Sequence, residues 1–83
     1  MDIKIGKVTH FYNRISVAVL ELTDEMGLGD RIAIMGHSTE FTQQVESMEI
    51  NHRAVQSAGP GQEVALKVLE AVREGDLVYK VIE

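Results

Sequence analysis

Glycine and proline fall at Gly27, Gly29, Gly36, Gly59-Pro60-Gly61 and Gly75, and they cut this 83-residue chain into segments of strand length. That punctuation leaves little room for long helices and predicts an all-β domain. Ile15 to Leu22 is rich in β-branched residues and apolar on both faces, as expected of a strand well inside a barrel or sandwich. Asp30 to Met35 follows a Gly-containing turn, with Ile32 and Ile34 on one face and Arg31 on the other. Residues 15–35 therefore read as a hairpin.

Two changes of period-2 phase predict irregular strands. Ile3 and Ile5 share one parity while Val8, His10 and Tyr12 share the other, and Gly6 at the change supplies a bulge or a close backbone approach. Phe41 and Val45 are followed by Met48 and Ile50 on the opposite parity, which predicts a β-bulge near Glu46-Ser47. Residues 62–74 are ambiguous. Val64, Val68 and Ala71/Val72 fit a helix face that Gly75 could terminate, whereas Val64, Leu66 and Val68 fit one face of a strand; periodicity alone leans helical, and the strand-like neighbours stand against the helix. Met26, Met35 and Met48 read as core or turn fillers.

With 45% hydrophobic residues, the chain can bury one small core, and residues 1–83 are expected to form one domain. The formal net charge of −5 is spread over both halves, which disfavours non-specific binding to nucleic acid and gives no reason to expect DNA as a partner. Cysteine is absent, so disulfides, thiolate zinc sites and Cys nucleophiles are excluded. No signal-peptide core or apolar run of membrane-spanning length occurs, and a cytoplasmic location is the expectation.

Gly6-Lys7-Val8-Thr9-His10, Leu28-Gly29-Asp30-Arg31-Ile32-Ala33-Ile34-Met35-Gly36, Ala58-Gly59-Pro60-Gly61-Gln62-Glu63-Val64-Ala65-Leu66 and Val72-Arg73-Glu74-Gly75-Asp76-Leu77-Val78 occur in that order. Together they resemble the second, β-barrel domain of translational GTPases such as elongation factor Tu and initiation factor 2. Thr9-His10-Phe11-Tyr12, Gly36 to Gln43 and Val45-Glu46-Ser47-Met48 resemble the short translation elongation factor-like proteins, and related segments look like extensions of peptidase U32-group proteins. The resemblance implies a single small antiparallel β-barrel of the translation-protein domain II type, with residues 63–69 as a strand. It does not carry GTP binding across, because no Gly-x-x-x-x-Gly-Lys-[Ser/Thr] is present. Apolar residues around Ala18 to Leu20 also stand where elongation factors commonly have Thr-Gly, which weakens any transfer of tRNA-end recognition.

His10-Phe11-Tyr12-Asn13-Arg14 combines aromatic faces, hydrogen-bonding groups and a cation, the chemistry of RNA stacking or of a protein hot spot. Its plainer reading is a hairpin loop whose rings cover the end of the sheet. Gly36 to Gln44 is a polar loop in which His37, Ser38, Thr39 and Phe41 are candidate contacts, although its hydroxyls also suit turn backbone. Arg53, beside a strand end, is a further candidate cation. His10, His37 and His52 lack metal-ligand spacing, and no catalytic Ser-His-Asp pattern or Gly-x-Ser-x-Gly elbow occurs. No metal, cofactor or catalysis is expected. The preferred expectation is a binding module for tRNA, ribosomal RNA or a translation-related protein; the alternative is an adaptor that positions a separately encoded U32-group enzyme.

Overall fold

A computed structural model describes residues 2–82, and every regular element among them is a strand. They are β1 (Asp2–Tyr12), β2 (Val17–Leu22), β3 (Met26–Gly27), β4 (Arg31–Met35), β5 (Glu40–Gln44), β6 (Met48–Ile50), β7 (Arg53–Ala54), β8 (Ser57–Ala58), β9 (Glu63–Lys67) and β10 (Leu77–Val81). All pairings are antiparallel. Eight strands form one sheet in the order β5-β4-β10-β1-β2-β9-β6-β7, and β3 pairs with β8 in a second sheet. The all-β expectation holds at this level. No ladder joins the two edges of the large sheet among the described residues.

Alternation builds the core. Ala18, Leu20 and Leu22 of β2, Ile32 and Ile34 of β4, Val64 and Leu66 of β9 and Val78 of β10 are all buried on the inner face. Val17 and Val19 occupy the opposite face of β2 and are half-buried, which accounts for the two-faced apolarity of this strand. Met26 and Met48 fill the core, whereas Met35 is exposed. Deleting the side chain of a fully buried residue such as Ile34 would cost about 2–5 kcal/mol through lost transfer energy and the cavity left behind.

Gly6 marks an irregularity, as its phase change predicts. The β1–β10 register shifts between Lys4 and Gly6, and a Cβ there would lie 2.6 Å from the Glu21 carbonyl. A second shift, between Val8 and His10 against β2, is not visible in the sequence. It corrects the expectation that Val8, His10 and Tyr12 share a face: Phe11 packs against the core, and His10 and Tyr12 point outward.

Three further expectations are corrected or resolved. Residues 15–35 are not a hairpin, because β2 lies between β1 and β9 while β4 lies between β10 and β5. The segment between them is occupied by β3, which pairs with β8, so it cannot act as a tight turn. No bulge forms at Glu46-Ser47; the chain leaves the β4 ladder after Gln44 and joins the β9 ladder at Met48, and this change of partner absorbs the phase slip. Residues 62–74 contain a strand over Glu63–Lys67 and no helix, with Val68 and Val72 reaching the core from irregular backbone.

The turns follow from their residues. Gly29 has φ 90°, and the Asp30 carboxylate accepts a bond from the Gly27 amide at 2.8 Å. In Gly59-Pro60-Gly61-Gln62, Pro60 takes the position that suits its fixed φ, Gly61 takes φ 85°, and the Gln62 amide donates to the Gly59 carbonyl at 3.2 Å. Between the β5 edge and the chain at the end of β9, Gln43 makes a cross-link with its side chain. Its Nε2 donates to the Lys67 carbonyl at 2.9 Å and its Oε1 accepts from the Leu69 amide at 2.8 Å.

Candidate functional site

Strands β1, β4 and β9 run in the same direction, because each is two antiparallel steps from the next along the sheet. The connections that follow them, residues 13–16, 36–39 and 68–76, consequently leave the sheet at one end. Two of these are the loops marked out by the sequence. The third joins them. The Val68 amide donates to the Ser16 carbonyl at 2.8 Å, while Glu70 and Ala71 line a cavity of about 420 Å³ with His37, Ser38 and Thr39.

Within the first loop, the His10 ring meets Tyr12 edge-on with centroids 4.3 Å apart, and His10 Nδ1 lies 3.5 Å from Glu74 Oε2. Both side chains are well exposed, so the contact contributes little to stability. Asn13 and Arg14 are exposed, and a shallow cavity of about 370 Å³ is lined by residues 11–15. Arg14 is thus accessible to an acidic or aromatic group from outside.

The second loop is built on Gly36. A side chain at that position would run into the Asp76 carboxylate, which is buried and accepts from the Arg73 amide at 2.9 Å. Gly36 and Thr39 exchange backbone hydrogen bonds at 2.7 and 3.4 Å, and Thr39 is buried at 6% exposure. Thr39 therefore shapes the turn, whereas His37 and Ser38 are exposed and Phe41 is half-buried against the core. Arg53 is exposed on β7 beyond a turn in which Asn51 and His52 both have positive φ. That turn follows β6, which runs opposite to β9, so Arg53 is not brought to the same end.

Sequence reasoning missed two side chains at this end, Ile15 and Leu69, which are 59% and 71% exposed. Ile15 reads as the start of a strand that in the structure begins two residues later, at Val17. For Leu69 a signal was available: with Val64, Leu66 and Val68 inside, alternation puts position 69 outside. Among the described residues, no group of three or more His, Asp or Glu side chains is arranged to hold a metal. No helix is long and apolar enough to cross a membrane among those residues.

Residues 4–78 match the family model of the peptidase family U32 C-terminal domain. The chain belongs to that family. A protease of Methanocaldococcus jannaschii, described as uncharacterized, is 45% identical over 78 residues, which is 93% of this chain and 19% of the relative. A collagenase of Porphyromonas gingivalis is 34% identical over 80 residues, 94% of this chain and again 19% of the relative. The chain therefore spans about a fifth of the length of these curated relatives. The fold matches the crystal structure of the C-terminal domain of a protein assigned to the U32 peptidases of Geobacillus thermoleovorans, with TM-score 0.91 and 20% identity over 96% of this chain and 93% of that one.

Membership of the U32 C-terminal domain family overturns the identification with translation elongation factor-like proteins and with domain II of translational GTPases. The residues that carried that resemblance explain the error. Gly6, Leu28-Gly29-Asp30, Gly36 and Gly59-Pro60-Gly61 serve a close strand approach, two turns and a site where a side chain would clash, which are demands of the backbone path and not of a translation-related ligand. The expected role in translation, with tRNA, ribosomal RNA or translation proteins as partners, falls with the identification. Association with a U32-group protein is consistent with the family.

Proposed function

We propose that this chain is a non-catalytic accessory module that binds a U32-group protein and positions it, using the end of the sheet where the loops at residues 10–16, 36–41 and 68–71 converge. The observation that carries this reading is the combination of family and proportion. The chain corresponds to the C-terminal domain of proteins whose greater part lies outside the match, so the chemistry implied by their names is assigned to that greater part. His10, Phe11, Tyr12, Asn13, Arg14, His37, Ser38 and Phe41 are the proposed contact region, with Thr39 shaping its loop; Arg53 is peripheral. Loops held on a rigid sheet suit such a task, because ordering costs are met on folding and not on binding.

The fold proposed for the module is a small barrel. The bonds from Gln43 to Lys67 and Leu69 draw the β5 edge onto the end of β9, and the direct passage from β5 into β6 brings the chain across the same gap. The functional reading is tested by mixing the purified chain with a U32-group protein from the same organism and measuring the mass of the mixture by sedimentation. A stoichiometric complex is expected. Separate boundaries at micromolar concentrations of both proteins would end the reading.

A further inference from the structure

Leu69 has the most exposed of the large apolar side chains among the described residues, yet its backbone is tied to the sheet. Its amide donates to the side chain of Gln43, which is 5% exposed, and its neighbour Val68 donates to the Ser16 carbonyl at 2.8 Å. Ser16 itself has φ 56°, a left-handed conformation that is costly for a residue with a Cβ, and it follows directly on Ile15. Val17 faces Lys67 in the β2–β9 ladder, and the Val68–Ser16 bond ties the two chains together one step further on, so Ile15 and Leu69 are the next residues beyond that bond at the same end of the sheet. Tyr12, 50% exposed, lies at the same end, where its carbonyl accepts from the Ile15 amide and it faces Val17 in the β1–β2 ladder.

An isolated exposed leucine needs no explanation, but grouped apolar side chains on fixed backbone mark a binding surface. Resting on the accessory-module reading, we propose that Tyr12, Ile15 and Leu69 form the apolar centre of the docking surface for the U32-group protein, with Ile15 and Leu69 as anchors and Arg14 on the rim. The occupant is that protein and not a second copy. A net charge of −5 on so small a chain opposes self-association, whereas the family's longer members supply a large body to which this domain belongs. Fixed anchors lose little entropy on docking, and a few buried apolar or aromatic side chains carry most of the energy of an interface.

The test measures affinity of the full chain for a separately purified U32-group protein from the same organism, by calorimetry, with circular dichroism as the check on folding. Ile15→Asp and Leu69→Asp are each expected to weaken binding at least tenfold. Leu28→Asp, which alters an exposed leucine at the opposite end, is expected to bind within twofold of the native chain. If an aspartate variant fails to fold, Leu69→Ala at the same exposed position gives the readout with a weaker but measurable loss. Failure of the native chain to bind would remove the accessory-module reading itself. Binding that survives both Ile15→Asp and Leu69→Asp would keep that reading and overturn this surface. A native dimer that Leu69→Asp dissociates would overturn the choice of occupant.

Discussion

The side chain of Gln43 donates to the carbonyl of Lys67, 24 residues away, at 2.9 Å across a gap that no strand ladder spans. Because the same amide group also accepts from Leu69, one side chain fastens two backbone groups. Gln43→Ala leaves both without that partner, and the expected loss is about 1–3 kcal/mol, two hydrogen bonds at about 0.5–1.5 kcal/mol each. Urea unfolding followed by circular dichroism measures it; a midpoint equal to the native one would show that the cross-link is replaced by water at no cost.

Gly36 and Asp76 are coupled by space. Gly36→Ala forces the Asp76 carboxylate away from the Arg73 amide, with an expected cost of about 1–3 kcal/mol from overpacking and the lost bond. In a double-mutant cycle the pair Gly36→Ala and Asp76→Ala should cost less than the two changes summed, because the second removes the obstacle to the first. Additive costs would contradict the clash.

Gly59 and Gly61 flank the same proline but differ in what they tolerate. At both positions a Cβ would stand in open space, with nothing within 4 Å, and of the two only Gly61 has positive φ, at 85°. Gly61→Ala should therefore lose about 1–2 kcal/mol from backbone conformation alone. Gly59→Ala should stay within about 0.5 kcal/mol of the native chain. Thermal unfolding of the two variants side by side checks the difference, and equal melting temperatures would refute it.

Asp30 has two partners, the Gly27 amide at 2.8 Å and the Lys80 ammonium at 3.4 Å, and the first should matter more. The ion pair is partly exposed and contributes under about 1 kcal/mol, whereas the bond to the Gly27 amide fixes the turn itself. Asp30→Asn keeps an acceptor oxygen and should be nearly neutral; Asp30→Ala should cost about 1–2 kcal/mol. A reversed order in chemical denaturation would make the ion pair the dominant contact.

What the sequence revealed follows from the reach of each signal. Turns are set by neighbours in the chain, so Gly29-Asp30 and Gly59-Pro60-Gly61 were readable, and alternation placed Ile32 and Ile34 on the inner face, whereas around Val64 and Leu66 a helical spacing competed with it. Pairing is not local. Nothing in residues 15–35 announces that β4 pairs with β10 and not with β2, because the decisive contacts are with residues 77–80. The shift at Thr9 was hidden for a related reason: Phe11 and Tyr12 are both aromatic, and only the β2 register decides which turns inward. For the proposed surface, Tyr12 and Arg14 stood out by residue type, while Ile15 resembles a core residue until the start of β2 is known and Leu69 turns outward only once residues 64–68 are read as a strand. The turn glycines were the most misleading, since chains of different families meet the same backbone demand with the same residue.

Strand β10, the last of the described strands in chain order, lies between β1 and β4 and so completes the interior of the sheet. On a ribosome, β1 and β2 emerge early and can pair, but β1 keeps one open edge and β4 keeps another until residues 77–81 appear. Synthesis of these strands is nearly finished before the sheet can be. A nascent or truncated chain without β10 thus presents two unpaired backbone edges at the centre of the fold, where they invite pairing with other chains.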